Sequence, residues 1–230
     1  GVVMLPPYLA MRAYIRGNVN SLALKDEAIS TEQKQILQEQ AQGYYRLAWH
    51  YTQRPQGQLL MMSGLSGSGK STIARQLASK LNAIHIRSDA VRKHLAALPL
   101  DQRGSDKIYT PEMNHRTYSR LLDLGILLAQ QGWTVILDAK YDQQMFRRAA
   151  ISAATEHSIP LQILHCIAPV EILKDRIRHR HGDITDATVD LLIQQQKTAD
   201  PFSEQEQQYV LDIDTTTDWS AISRLLMKII

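Results

Sequence analysis

The run Gly64-Leu65-Ser66-Gly67-Ser68-Gly69-Lys70-Ser71 carries the clearest chemistry in the chain. Glycine at three of its positions lets the backbone wrap closely around an anion, so that successive N–H groups point at it. The apolar run Leu59-Leu60-Met61-Met62 before it reads as a buried strand. Lys70 to Leu81 after it has helical spacing, with Ile73, Leu77 and Leu81 on one side. Strand, glycine-rich turn and helix N-terminus together form a phosphate cradle, because the first helical amides are unpaired and carry partial positive charge. Lys70 supplies a point charge for β- and γ-phosphates, and the Ser71 hydroxyl is an oxygen ligand for Mg²⁺.

Two carboxylates follow two further apolar runs. Asp89 ends His85-Ile86-Arg87-Ser88, and Asp138 ends Trp133-Thr134-Val135-Ile136-Leu137. In a parallel sheet both reach the rim that holds the phosphate loop. Phosphoryl transfer needs Mg²⁺, cations on the phosphates and a carboxylate to orient or deprotonate the acceptor. Asp89 and Asp138 are the carboxylates on offer, although an Asp after a strand also serves as a helix cap. Mg²⁺ is expected on Ser71 and, through water, on Asp138. Arg92, one turn beyond Asp89, and Arg147, near the start of a later helix, are the cations expected to face an anionic or hydroxylated acceptor. Arg176, Arg178, His179, Arg180 and His181 form a second constellation. Arg176 and Arg180 share a helix face and precede the break at Gly182. This is the layout of a lid whose arginines close on phosphates. A solvated basic helix end has the same residue types, and the preceding phosphate loop favours the lid.

Alternating elements position these groups. Strands are expected at Leu59–Met62, His85–Asp89, Trp133–Asp138, Leu161–Ile167 and Tyr209–Ile213. Helices are expected at Lys70–Leu81, Ala90–Ala97, Pro111–Gln131, Gln143–His157, Pro169–Arg180, from the Asp186 cap to Thr198, and from the Asp218 cap to Ile230. Such alternation gives an α/β fold with a five-stranded parallel sheet, helices on both faces and ligand at the carboxyl ends of the strands.

Residues 1–57 differ. Tyr8–Leu22 and Thr31–Tyr51 both read as helices, with Ser30 or Thr31 as a cap for the second. Tyr8, Tyr14, Tyr44, Tyr45, Trp49 and Tyr51 need packing partners, so most are expected to be buried. The division is therefore a helical appendage over 1–57 and a phosphate-binding domain over 58–230. With 230 residues, 44% of them hydrophobic, the chain has room for one sizeable domain plus this appendage, and it has no long uninterrupted apolar run to span a membrane. The first residues lack the basic stretch of a secretory signal. The lone Cys166 excludes an intrachain disulfide and fits the reducing cytoplasm. A net charge of +3 gives no general basic surface for nucleic acid. The histidines have no zinc-ligand spacing.

From about Leu59 onward the chain resembles a family of P-loop kinases with an AAA-type ATP-binding domain. The resemblance rests on Gly64–Ser71 with Thr72, on Arg87-Ser88-Asp89-Ala90-Val91-Arg92, and on Gly132-Trp133-Thr134-Val135-Ile136-Leu137-Asp138-Ala139. It continues through Arg147, Cys166-Ile167-Ala168-Pro169, and Arg176, Arg178 and Arg180 ahead of Asp183 and Asp186-Ala187. The wider group includes polynucleotide kinases, gluconate kinases, chloramphenicol phosphotransferase and zeta toxins. The resemblance implies ATP bound by residues 64–72, Asp89 as general base, and Arg176 and Arg180 on the nucleotide phosphates. Tyr8–Gly17 looks like the closing helices of an aminoglycoside-phosphotransferase-like domain, which one branch of the family carries upstream. No HxD-type catalytic loop stands within residues 1–57.

The expected activity is transfer of the γ-phosphoryl group of ATP to a hydroxyl of a small molecule or sugar derivative. Catalysis is expected to rest on Lys70, Asp89, Arg176 and Arg180. A nucleic-acid 5′-hydroxyl kinase and a nucleotide-dependent regulatory module are the alternatives.

Overall fold

A computed structural model describes residues 4–53, 56–102, 104, 108–179 and 189–227, without the side chains of 189–191 and 194. The chain divides into two compact units, Gly1–Pro55 and Gln56–Ile230.

The first unit is a pair of antiparallel helices, α1 (Leu5–Ala23) and α2 (Thr31–Thr52). Ser30 caps α2, its hydroxyl accepting from the Gln33 N–H. Small residues meet between the helices: Ala10, Ala13 and Gly17 of α1 are buried, as are Ala41 and Ala48 of α2. A Cβ on Gly17 would stand 2.8 Å from Cε1 of Tyr45, whose hydroxyl donates to Asn18 Oδ1 at 2.8 Å. The expectation of buried aromatics is wrong for three residues. Tyr8, Tyr14 and Trp49 are 52%, 55% and 66% exposed. The helices meet along small side chains, and this close approach leaves the large ones pointing outward.

The second unit holds β1 (Gln58–Ser63), α3 (Lys70–Leu81), β2 (Ile84–Arg87), α4 (Ser88–Leu95), α5 (Pro111–Ala129), β3 (Thr134–Asp138), α6 (Gln144–Glu156), β4 (Leu161–Ile167), α7 (Val170–Arg178), α8 (Val189–Thr198), α9 (Glu204–Gln207), β5 (Val210–Asp214) and α10 (Trp219–Leu226). The five strands are parallel in the order β2-β3-β1-β4-β5. Alternation along β1 divides the core. Leu59 and Met61 pack with Tyr118, Leu121 and Ala150 under α5 and α6, while Leu60 and Met62 pack with Ile73, Leu77 and Ile222 under α3 and α10. Both faces of the sheet are therefore covered, as a parallel sheet requires. No described helix is long and apolar enough to cross a membrane.

Two local expectations fail. The second strand stops at Arg87, where pairing with β3 ends opposite Asp138. Ser88 and Asp89 enter α4 instead, since both residue types suit a first helical turn better than a strand. The short helix α9 was not expected, although Ser203 and Glu206 form a capping box around it.

Arg147 is also not where an acceptor-binding residue should be. Its side chain is 1% exposed. Nε donates to Glu206 Oε1 at 2.8 Å and Nη2 to Glu206 Oε2 at 3.2 Å, while other N–H groups reach the carbonyls of Tyr141, Asp200 and Pro201. The ring of Phe202 lies 4.5 Å from its guanidinium carbon. A guanidinium so committed is a structural tie between α6 and the segment 200–206. Burial raises the proton affinity of Glu206, but hydrogen bonds from Arg147 and Ser203 outweigh it and hold the pKa below the ordinary value. A depressed carboxylate adds stability above its unfolded pKa and loses it as pH falls through the folded pKa. Arg147→Met should cost about 3–5 kcal/mol in chemical denaturation, because Glu206 stays buried without its partner. It should also flatten the wild-type fall in stability on acidification, which the same experiment across acid pH measures.

Candidate active site

β1 ends at the centre of the sheet, and the chain leaves it through the phosphate loop into α3. The α3 N-cap is Gly69 at φ +85°, a left-handed conformation that admits glycine at no steric cost. Lys70 and Ser71 open the helix. Lys70 Nζ lies 3.2 Å from the Leu65 carbonyl, so its ammonium folds back over the loop. The Gly64 N–H and the Ser63 hydroxyl both donate to the Lys140 carbonyl, at 3.0 and 3.2 Å. These bonds fix the start of the loop to the segment that follows β3. Ser68 Oγ is buried without a hydrogen-bond partner among the described residues.

Asp138 closes β3 with its side chain 2% exposed. Its Oδ2 lies 3.0 Å from His85 Nε2 and 3.6 Å from Arg87 Nε, and the Ser71 hydroxyl lies near enough to favour its ionised form. Burial pushes its pKa up, but the bond to His85, the charge on Lys70 and the nearby Ser71 hydroxyl outweigh burial and leave it below the ordinary value. Asp89, at the second position of α4, is shifted the other way. Burial raises its pKa, aided by the charge of Asp138, against lowering from Arg87, Lys70 and Arg92. Arg87 Nη2 stands 3.9 Å from Asp89 Oδ2. The start of α4 shows no side-chain cap, so capping that helix does not account for Asp89. Two carboxylates near one lysine thus differ in proton affinity, which is the arrangement that separates a base from a permanent anion.

His85 and Arg87 were missing from the sequence-based site, yet a signal was available. They sit two apart on a strand, so they share a face, and Arg87 pairs in register with Asp138. Arg92 is corrected. It is 6% exposed, donates Nη1 to the Ile108 carbonyl at 3.2 Å and stacks 5.0 Å from the Tyr109 ring. It pins the segment before α5 rather than reaching into open space, because the first turns of α4 are covered by that segment.

Arg176 lies against the loop. Nη1 donates to Thr215 Oγ1 at 2.9 Å and more weakly to the Gly67 carbonyl at 3.4 Å, and Nη2 donates to the Thr215 carbonyl at 2.8 Å. It is therefore held between the phosphate loop and the end of β5, not free on a solvent-facing lid. Arg178 is exposed. Arg180, with the break at Gly182, lies outside the described residues.

Hard oxygen donors suit Mg²⁺, which takes one or two carboxylates and completes its shell with water and phosphate oxygens. The Ser71 hydroxyl beside the ionised Asp138 carboxylate fits that chemistry. No cluster of three His, Cys, Asp or Glu able to hold a metal occurs among the described residues, and Mg²⁺ at a phosphate site needs none.

Residues 59–202 match the family described as AAA domain. The chain belongs to that family. Solved structures that carry kinase names share its fold. An adenylyl-sulfate kinase of Paraburkholderia xenovorans is 31% identical over 144 residues, covering 57% of this chain and 74% of its own. An uncharacterized protein of Mycobacterium tuberculosis is 30% identical over 192 residues, covering 80% of this chain and 36% of its own. The chain thus spans about a third of the length of the first curated relatives it matches. The unliganded structure of a sugar kinase from Janibacter sp. superposes with a TM-score of 0.55 at 22% identity, covering 74% of this chain and 93% of its own, and shows the fold.

Two outcomes are expected for single variants. Lys70→Ala should abolish measurable Mg-ATP binding in calorimetry with little change in the thermal midpoint, since its partly exposed ammonium packs against no core cluster. Arg176→Ala should lower the thermal stability by roughly 1 kcal/mol through the lost bonds to Thr215, in addition to any loss of turnover. The exposed-lid reading expects no such stability loss.

Proposed function

We propose that the chain is an ATP-dependent kinase acting on a hydroxyl of a small molecule or sugar derivative. Two carboxylates, Asp89 and Asp138, both approached by Arg87 at the rim that holds the phosphate loop carry this reading, and the opposite directions of their pKa shifts fit it. The fold supports it, as does the relationship to a kinase named for adenylyl sulfate and a neighbour named for sugar.

In this scheme the acceptor hydroxyl approaches Asp89, whose raised pKa suits it to take a proton. The acceptor oxygen bonds to the γ-phosphorus, the bond from that phosphorus to the β–γ bridging oxygen breaks, and ADP leaves. The acceptor proton passes to the Asp89 carboxylate and then to water. Lys70 and Arg176 offset the charge on the phosphate oxygens. Mg²⁺, when bound, supplies further charge neutralisation and alignment of the phosphates. Ser71 and Asp138 would hold it, and His85 and Arg87 fix the Asp138 carboxylate. Arg87, near both carboxylates, takes the acceptor-side place that Arg147, paired with Glu206, does not fill.

The decisive experiment incubates the protein with γ-labelled ATP, Mg²⁺ and a metabolite extract, and reads labelled products by mass spectrometry. A labelled small molecule is the expected result. Labelled oligonucleotide in parallel reactions would move the assignment to a nucleic-acid kinase, and ATP binding without any product would favour a regulatory module. With an acceptor in hand, Asp89→Asn should retain Mg-ATP binding and lose transfer by on the order of 10²-fold or more. Asp138→Asn should instead raise the Mg²⁺ concentration needed for half-maximal turnover.

A further inference from the structure

Gln195 lies on α8 with 3% of its surface exposed. Its Oε1 accepts the Ser66 N–H at 3.1 Å, across 129 residues of sequence. A backbone amide can only donate, so the carboxamide must present its oxygen to the loop. The same side of the loop meets α7, which packs on α8. A Cβ on Gly67 would lie 2.6 Å from the Leu173 carbonyl oxygen, and the Gly67 carbonyl accepts from Arg176. Two consecutive loop residues therefore meet a helix pair that begins more than 100 residues later in the chain.

A phosphate nest depends on which way each peptide plane faces. An amide bonded outside the nest is withdrawn from the anion, and its plane constrains the next one. We infer that Gln195 is a positioning residue for the phosphate cradle. Its carboxamide holds the Ser66 amide toward α8 and so sets the direction of the loop amides that follow, which bind the polyphosphate of a nucleoside triphosphate. The inference rests on the nucleotide reading proposed above. Neither the loop motif nor the carboxylate pair requires Gln195, and a glutamine on a late helix has no part in the expected site.

The test uses the full chain and two substitutions. Gln195→Met keeps the side-chain length and removes the acceptor. Gln195→Asn keeps the carboxamide and draws it back by one methylene. Three readouts are compared with wild type: the Kd for Mg-ATP by calorimetry, the thermal midpoint, and amide hydrogen exchange of the peptide spanning residues 64–69. Both variants should bind Mg-ATP about tenfold more weakly, the scale of one lost buried hydrogen bond. Their midpoints should fall by only a few degrees, the scale of one lost buried hydrogen bond, with faster exchange in the loop peptide. Unchanged Mg-ATP affinity in a folded variant overturns the inference. So does an affinity loss that only tracks a large fall in midpoint, which would make Gln195 a packing residue of α8. If the methionine variant does not fold, the asparagine variant decides by the same criteria. A wild-type chain that does not bind Mg-ATP overturns the nucleotide reading itself, and this inference with it.

Discussion

The placing of the Asp138 carboxylate, at the end of β3, against Lys70 and Ser71, at the start of α3, is the arrangement on which the site depends. It is possible only because β1 and β3 run parallel in a register that sets Met62 beside Asp138. The phosphate loop leaves the sheet one residue later, at Ser63, and returns as α3 above the same rim. A slip of one residue in that pairing would turn the β3 side chains to the opposite face. Asp138 would then point into the core under α5, and the lysine and serine that open α3 would lose their carboxylate. The register is in turn held by the apolar residues of β1 and β3, which are almost wholly buried on both faces. The site therefore inherits its geometry from the packing of the sheet rather than from contacts among the polar residues themselves.

Charge follows from that geometry. Two carboxylates that are both largely removed from water would each be pushed toward protonation. Asp138 escapes because His85, Ser71 and Lys70 converge on it, whereas Asp89 receives less compensation and is raised. The difference arises from β2. His85 and Arg87 stand on the strand that pairs with β3, so their side chains fall beside Asp138. Asp89 is two residues further on, after the chain has turned into α4, where Arg87 reaches it with Nη2 at 3.9 Å and Lys70 and Arg92 add their charge from nearby. One short strand thus supplies the groups that keep one acid ionised and leave the other basic.

Much of this was legible in the sequence. The glycine spacing and Lys70-Ser71 define the loop, and the alternation of apolar strands with helical spacing placed Asp138 at the correct rim. Four of the five strands of the second unit fall within one residue of their expected bounds and β2 ends two residues early, while the Asp186 cap and the expected end at Ile230 lie outside the described residues. The misses have physical causes. Strand and helix propensities compete at Ser88-Asp89, and the end of the ladder with β3 decides between them. Tyr8, Tyr14 and Trp49 carry the composition of a core, but the close approach of α1 and α2 depends on the intervening alanines and Gly17. Gln195 and Thr215 touch the loop and its arginine through contacts with no fixed sequence separation, so no motif announces them.

The arginines show the same limit most sharply. Arg92, Arg147 and Arg176 each stand on a helix that follows a strand, and sequence alone assigns all three to phosphate or acceptor. Arg147 meets Glu206 and a group of carbonyls, and its bidentate pairing needs a second element, α9, that brings a carboxylate into the interior. Arg92 meets a carbonyl and an aromatic face from the segment before α5. Among the described residues Arg176 hydrogen-bonds Thr215 and a carbonyl of the phosphate loop, and Asp214, a carboxylate that feels its charge, is not a hydrogen-bond partner. A guanidinium bonded to neutral oxygens keeps its full charge for an incoming anion, whereas one in a buried carboxylate pair has that charge cancelled. By this criterion Arg176 belongs with the phosphate loop and Arg147 with the core. The distinction is set by what the later elements, α9 and the end of β5, place opposite each arginine.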